Sequence, residues 1–209
     1  MTAGTDYFRW YYETGVWKRQ HYRGVRILKL PSDLWNYQEI FSERRIEWVV
    51  ETGTLHGGSA LFFADLLELA RAPGKVISVD VSHHALQVSK HPRIEFLCAS
   101  SAAEETAAQV ASLLPAQRGA LFMILDSDHS EAHVLRELEL MVPLLRSGDY
   151  LVVEDTCVNG HPVRPEFGPG PMEALRGYLR THPGVLATDK AREEKFGCTA
   201  APEGYLVKT

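Results

Sequence analysis

From Ile46 onward, short apolar runs alternate with segments of helical character. Seven runs predict strands, at Ile46–Val50, Lys75–Asp80, Ile94–Leu97, Ala120–Asp126, Tyr150–Glu154, Val185–Thr188 and Gly204–Lys208. The runs L-F-M-I-L and Y-L-V-V are apolar at every position, which is typical of strands in a sheet covered on both faces. The segments between them predict helices at Ser59–Ala70, Ala85–Ser89, Ala102–Leu114, Ser130–Leu145 and Pro171–Thr181. This alternation predicts an α/β fold, a doubly wound and mostly parallel sheet of seven strands.

The two ends of the chain depart from this pattern. No helix is predicted between the last two strands, so we expect them to form an antiparallel pair at one edge of the sheet. Residues 1–40 hold nine of the 20 aromatic residues. We interpret residues 1–40 as a helical appendage that covers the sheet, closes over a pocket as a lid, or contacts another copy of the chain. Residues 41–209 form the main domain.

Composition narrows the class of protein. A chain of 209 residues that is 45% hydrophobic and 23% charged is typical of one soluble globular domain. A formal net charge of -5 argues against a protein that binds nucleic acid through a basic face. No run predicts a membrane span or a secretion leader, so we expect a cytoplasmic protein. The cysteines, Cys98, Cys157 and Cys198, are predicted to be free thiols.

A glycine-rich turn follows the first predicted strand, in the segment E-T-G-T-L-H-G-G-S. Gly53, Gly57 and Gly58 are expected to let the backbone pass close to a ligand, and Ser59 to cap the next helix. The spacing is not the dinucleotide pattern G-x-G-x-x-G, and it resembles the turn of class I S-adenosylmethionine-dependent methyltransferases. Asp80 ends the second strand, where one carboxylate can accept hydrogen bonds from both hydroxyls of a ribose.

Three acidic residues follow two later strands. Asp126 ends the fourth predicted strand, and Glu154 and Asp155 end the fifth. The carboxyl ends of parallel strands meet at one rim of a sheet, so we expect these side chains to converge there. Crowded carboxylates are costly without a cation, and an all-oxygen ligand set favours magnesium. Asp128 is instead interpreted as a helix cap.

Histidines near this rim provide a candidate base. His129 stands three residues after Asp126, where a neutral imidazole could accept the proton of a substrate hydroxyl. His133 lies four residues further on, so His129 and His133 form an alternative pair that could bind zinc or iron. The segment 156–171 holds three Gly and four Pro and predicts a substrate-binding loop, with His161 and Arg164 as its polar contacts.

Three longer segments carry a more specific resemblance: V-W-K-R-Q-H-Y-R-G-V, K-L-P-S-D-L-W-N-Y-Q-E-I and V-V-E-T-G-T-L-H-G-G-S-A-L-F-F-A-D. Together with most of the chain from Trp17 onward, they resemble the cephalosporin hydroxylase family, whose members are similar to class I methyltransferases. The resemblance implies an O-methyltransferase that moves a methyl group from S-adenosylmethionine to a hydroxyl of a sugar or natural product, with Mg²⁺ as cofactor. It leaves open whether this chain forms the homo-oligomer of some members, and we expect that it does form a homo-oligomer.

The same resemblance implies roles for particular residues. Asp126, Glu154 and Asp155 would hold magnesium, and His129 would be the general base. Contacts to S-adenosylmethionine are implied for Glu51, Gly53, Thr54, Gly57, Gly58, Ser59, Asp80, Ser101 and Asp126. Asp128 departs from the family, whose members often have a small neutral residue there. This extra carboxylate leaves open whether Asp128 joins the metal shell.

Two alternatives from other classes remain at this point. A hydroxylase-type enzyme would use His129, His133 and a carboxylate around iron or zinc. A non-catalytic partner protein would keep the cofactor pocket and work through its aromatic N-terminus. The acidic rim argues against the second alternative, because protein contact alone does not require it.

Overall fold

The computed structural model describes residues 3–209. Seven α-helices occur in this range: α1 (Ala3–Glu13), α2 (Pro31–Arg44), α3 (Gly58–Leu69), α4 (Glu104–Leu113), α5 (Glu131–Met141), α6 (Pro171–Thr181) and α7 (Lys190–Glu194). The strands in it are β1 (His21–Tyr22), β2 (Val25–Arg26), β3 (Ile46–Thr52), β4 (Val76–Asp80), β5 (Ile94–Cys98), β6 (Ala120–Leu125), β7 (Tyr150–Val153), β8 (Leu186–Thr188) and β9 (Tyr205–Lys208). Short 3-10 helices lie at Val16–Arg19 and Val142–Leu144.

Strands β3 to β9 form one sheet in the order β5-β4-β3-β6-β7-β9-β8, and β1 and β2 form a separate hairpin. Strands β5, β4, β3, β6 and β7 pair in parallel, and β9 pairs antiparallel with both β7 and β8. The strand order reverses between β3 and β6, so their carboxyl ends form the crevice in which such folds bind ligands. The predicted doubly wound sheet with an antiparallel edge pair is confirmed.

Helices cover both faces of the sheet, which explains why its strands are apolar at every position. Neighbouring residues point to opposite faces: Val50 belongs to a hydrophobic cluster that includes residues of α4, α5 and α6, and Val49 to a cluster that includes residues of α2 and α3. Both valines are fully buried. Two hydrophobic layers therefore hold the sheet rigid, and this places the loops at its carboxyl edge in fixed positions.

Two local predictions were wrong. The segment Ala85–Ser89 is not helical, because the side chain of Gln87 holds it against another part of the chain. The Gln87 side-chain carbonyl accepts from the backbone N–H of Arg26 at 2.9 Å, which ties this loop to the β1–β2 hairpin. Conversely, helix α7 forms where no helix was predicted, since Asp189 caps it by accepting from the backbone N–H of Arg192 at 3.2 Å.

The N-terminal segment combines buried and exposed rings. Phe8 and Tyr11 are buried against Val158 and Val163 of the long loop that follows β7. In contrast, Trp10 and Trp35 are more than half exposed. Part of the segment is therefore a cover, while its role as a lid or oligomer contact remains a prediction. Within residues 3–209, no helix is both long and apolar enough to span a bilayer.

Candidate functional site

One large cavity opens at the carboxyl edge of the sheet, with a volume of about 730 Å³. It lies between the N-terminal segment and the loops that follow β3, β4, β6 and β7. Its wall contains eight of the predicted site residues: Gly53, Gly58, Ser59, Asp80, Ser101, Asp126, His129 and Asp155. Glu51, Thr54, Gly57 and Glu154 are not part of that wall. The structure thus brings most of the predicted site together.

The glycines of the turn are required because other backbone segments pack too closely against them to leave room for a side chain. Gly53 has φ +87°, and a Cβ there would lie 1.8 Å from the carbonyl oxygen of Asp126. A Cβ on Gly58 would lie 2.2 Å from the carbonyl oxygen of Arg26. Both contacts are with backbone, so neither neighbour can move aside cheaply. The turn therefore brings the Asp126 loop and the N-terminal hairpin to the cavity wall.

Asp80 is held in place by two backbone donors. Its Oδ2 accepts from the N–H of Leu55 at 2.8 Å, and its Oδ1 accepts from the N–H of Ser82 at 3.0 Å. A carboxylate has about four lone-pair positions, so two of them are left for a ligand in the cavity. This arrangement fits a group that must present a fixed pair of acceptors to a diol.

Behind the turn lies a buried polar group. Glu51 is 1% exposed, and burial raises the pKa of its carboxyl to about 7. Its Oε2 accepts from the Ser78 hydroxyl at 2.6 Å, and that hydroxyl lies 2.6 Å from Oγ1 of Thr54. Its Oε1 is buried without a partner among the described atoms. Glu51 and Thr54 are therefore buried behind the turn, and the contacts to S-adenosylmethionine expected of them stay predictions.

A second polar network contains His133, which lines the cavity together with Ser101 and Ser127. The Nε2 of His133 lies 3.1 Å from the hydroxyls of both Ser101 and Ser127. Ser127 donates to Oε1 of the fully buried Glu137 at 2.7 Å. The Glu137 carboxylate, whose Oε1 lies 3.7 Å from Nε2 of His133, raises the pKa of His133. His133 thus faces Ser101 and Ser127, and the structure does not join it to His129 in a metal site.

The acidic rim forms a compact ligand set. Asp126, His129 and Asp155 each offer one atom, and these atoms lie within 4.8 Å of one another. The Nε2 of His129 is 3.1 Å from Oδ2 of Asp155. Asp155 has φ +54°, an unusual backbone conformation for this residue type that follows directly on strand β7. Burial raises the pKa of both Asp126 and Asp155.

Glu154 lies outside this set. It is 3% exposed, its Oε1 accepts from the Tyr37 hydroxyl at 2.5 Å, and the Nζ of Lys29 lies 3.2 Å away from the same oxygen. Lys29 also donates to Oδ2 of Asp126. The magnesium role predicted for Glu154 therefore stays a prediction, while Lys29 and Tyr37 are site residues that the sequence analysis missed. Their partners lie about a hundred residues away in the chain, so no local motif marks them.

Two further predictions concern single side chains. Asp128 does not cap helix α5, whose N-cap is Ser130, but accepts from the backbone N–H of Ser130 at 2.8 Å in the turn that precedes the helix. Hydrogen bonds from the Ser130 hydroxyl and from this N–H lower the pKa of Asp128. His161 lies 2.9 Å from Oε1 of Glu173 and does not line the cavity, whereas Arg164 does. Of the two loop contacts predicted, the structure brings only Arg164 to the site.

A doubly wound sheet with a glycine turn after its first parallel strand, and with acids at the ends of the fourth and fifth, is the architecture of class I methyltransferases. Residues 14–209 match the family described as Rhamnosyl O-methyltransferase/CmcI. The chain belongs to this family, and the predicted resemblance and enzyme class, an O-methyltransferase, are confirmed.

Individual relatives agree with this assignment. The chain is 47% identical over 205 residues to a rhamnosyl O-methyltransferase of Mycobacterium tuberculosis, which covers 97% of this chain and 84% of the relative. It is 48% identical over 204 residues to the rhamnosyl O-methyltransferase of Mycobacterium leprae, covering 97% and 89%.

Solved structures show the same fold. A structure of CmcI with Mg and SAM superposes with a TM-score of 0.72 at 24% identity, covering 92% of this chain and 77% of CmcI. An O-methyltransferase from Bacillus cereus in complex with SAH gives 0.58 at 17% identity, covering 77% and 73%.

Proposed function

We propose that this protein transfers a methyl group from S-adenosylmethionine to a hydroxyl of a rhamnosyl residue, with Mg²⁺ as cofactor. One observation carries the proposal: a single cavity of about 730 Å³ is lined by Asp80 and also by Asp126, His129 and Asp155. A methyl donor and an acceptor must meet in one space shielded from water. The names of the relatives at 47% and 48% identity support the rhamnosyl acceptor.

The residues of the cofactor half fit S-adenosylmethionine. The carboxylate of Asp80 is fixed by two backbone donors and keeps lone pairs for the ribose hydroxyls. The Ser101 hydroxyl lines the same cavity, 3.3 Å from the hydroxyl of Ser127, and is suited to contact polar atoms of the adenine. The CmcI structure, which contains SAM, supports this assignment because the two folds superpose closely.

The residues of the acidic half fit a divalent ion. The carboxylates of Asp126 and Asp155 offer oxygens within 4.8 Å of each other, and their burial is costly unless positive charge is nearby. Mg²⁺ held there supplies positive charge that lowers the pKa of an acceptor hydroxyl and helps to orient it. Structures of CmcI and MycE that contain Mg support the assignment.

His129 takes the hydroxyl proton in this proposal. When the proton of its imidazole is on Nε2, that nitrogen donates to Asp155 at 3.1 Å and Nδ1 is an acceptor. The S–CH₃ bond of the sulfonium breaks as the O–CH₃ bond forms, so the sulfur leaves as a neutral thioether. The hydroxyl proton passes to His129, and Asp155 stabilises the imidazolium that results.

Aromatic side chains of the N-terminal segment suit a sugar acceptor. Tyr12 and Trp17 line the cavity and stack on each other with ring centroids 5.6 Å apart, and Phe167 lines it from the long loop. The C–H faces of a pyranose pack well on such rings, while its hydroxyls need only a few polar contacts. Residues 1–40 are therefore proposed to build the acceptor side of the site, in addition to covering the sheet.

The direct test uses methyl-labelled S-adenosylmethionine, an aryl rhamnoside and Mg²⁺. We expect label on a rhamnose oxygen, and no transfer in excess chelator, although the cofactor still binds. A matching aryl glucoside is the control for acceptor class. Transfer at full rate in chelator would contradict the metal, and transfer to the glucoside alone would contradict the rhamnosyl acceptor.

The aromatic wall has its own matched pair of variants. Trp17→Ala is expected to raise the KM for the rhamnoside by roughly tenfold at similar kcat, because it removes a stacking surface of about 1–1.5 kcal/mol. Trp10→Ala is the control, since Trp10 is 53% exposed and not part of the cavity wall. Equal KM values for the two variants would remove Trp17 from the acceptor side.

A further inference from the structure

Lys29 is a buried ammonium group for which the proposed reaction has no role. Its side chain is 3% exposed, and it forms ion pairs with both Asp126 and Glu154. Its backbone is fixed as well, because the carbonyl oxygen of Lys29 accepts from the Tyr11 hydroxyl at 3.1 Å and from Nε2 of Gln20 at 2.8 Å. The N-terminal segment thus inserts one positive charge into the acidic rim at a defined position.

The charges of the rim explain why a cation is needed there permanently. Asp126, Glu154 and Asp155 place three carboxylates in a small volume that is largely shielded from solvent, and burying unpaired charge is costly. Lys29 balances part of this charge without any bound metal. Tyr37 completes the arrangement by donating to Glu154, so that this carboxylate is satisfied while Asp155 and His129 stay open to the cavity.

Lys29 and a divalent ion would use the same carboxylate. Oδ2 of Asp126 accepts from Lys29, and Asp126 also belongs to the ligand set with His129 and Asp155. We propose that Lys29 is the internal counter-ion of this site, which keeps Asp126 and Glu154 in place without a divalent ion and weakens the binding of that ion by competing for Asp126. The inference rests on the proposed function only for the presence of a metal site.

Metal affinity is the first measurement, with Mn²⁺ as the probe and electron paramagnetic resonance as the readout. Lys29→Met is expected to bind Mn²⁺ at least roughly tenfold more tightly than the wild type, because one positive charge within a few ångströms of the ion is removed. Lys18→Met is the matched control. Lys18 lines the same cavity but has no ion pair with the acidic rim among residues 3–209, so its removal should change the affinity by less than about threefold.

Thermal unfolding is the second measurement, because a lysine that only packs would not link stability to metal. In chelator, Lys29→Met is expected to melt several degrees below the wild type, since Asp126 and Glu154 lose their counter-ion. Saturating Mn²⁺ should restore most of that difference. Lys29→Gln gives a second variant in case the methionine variant does not fold, because its amide can still donate to a carboxylate while carrying no charge.

The outcomes separate the two proposals. Tighter Mn²⁺ binding by a Lys29 variant than by Lys18→Met, with stability rescued by the ion, supports the counter-ion role. Equal Mn²⁺ affinity in the wild type and both Lys29 variants overturns that role and leaves the proposed methyl transfer intact. No Mn²⁺ binding by any of the proteins overturns both the counter-ion role and the metal in the proposed function.

Discussion

The two halves of the cavity are built in different ways. The cofactor half depends on neighbouring parts of the chain: Asp80 accepts from Leu55, which belongs to the turn after the adjacent strand. The acidic half depends on Lys29 and Tyr37, whose partners Asp126 and Glu154 are 97 and 117 residues away. The first half is fixed by backbone hydrogen bonds and the second by side-chain charges. Changes in the two halves should therefore separate cofactor binding from turnover.

The largest effect is expected from Asp155→Asn. It removes one charge from the compact ligand set without changing the shape of the side chain. We therefore expect the rate of methyl transfer to fall by roughly 10²–10⁴-fold or more, the usual effect of removing a catalytic group. The affinity for S-adenosylmethionine should stay within about threefold of the wild-type value. Kinetics and calorimetry on the same preparation measure both quantities.

Glu154→Gln makes the comparison sharper, because Glu154 lies behind the set and is held by Tyr37 and Lys29. Its Mn²⁺ affinity should fall less than that of Asp155→Asn. A larger loss in Glu154→Gln would show that Glu154 ligates the ion directly, as the resemblance to the family implies.

His129→Ala is expected to lower kcat by about 10²–10⁴-fold, the usual contribution of a positioned base. The loss should shrink at high pH, where the acceptor hydroxyl ionises without help. Mn²⁺ affinity distinguishes two roles for the same side chain, since His129 belongs to the ligand set and also contacts Asp155. A loss of ion that parallels the loss of kcat would make His129 a ligand and leave the base unassigned.

Asp80→Ala should weaken cofactor binding and leave the metal site unchanged. Loss of one charge-assisted acceptor weakens S-adenosylmethionine binding by about 1.5–3 kcal/mol, or roughly 10–150-fold, while Mn²⁺ affinity is unchanged. Calorimetric titration of the cofactor into wild type and variant gives the difference. If both ligands bind the variant as they bind the wild type, Asp80 serves only to fix the turn through Leu55 and Ser82.

The same contrast explains what the sequence could predict. All seven strands of the main sheet and helix α6 were predicted. Runs that are apolar at every position and a helix start at Pro171 are local signals in the sequence. The glycine turn, Asp80 and the acidic rim were predicted because strand ends mark the ligand-binding edge. Lys29 was missed, since a lysine before a helix is usually exposed and only the tertiary fold brings it to Asp126. Likewise, nothing local shows that Glu51 supports the turn from behind the cavity wall.

The smallest effect concerns Glu51 and is a test of stability. Its folded-state pKa of about 7 lies above the ordinary value of 4.5, so the folded protein holds a proton that the unfolded chain has lost between these two pH values. Stability should therefore decrease as pH rises from 4.5 to 7 and then level off. Glu51→Gln removes this dependence, so relative to wild type it should gain about 1–3 kcal/mol between pH 4.5 and 8. Denaturant unfolding at several pH values measures the gain. Glu47→Gln on the same strand is the control, since Glu47 is only half-buried and accepts from the backbone of Gly119.

A difference between Glu51→Gln and wild type that does not change with pH would contradict this prediction. It would show that the Glu51 carboxylate stays charged in the folded protein, which requires a cation or a hydrogen-bond donor near its unpartnered Oε1.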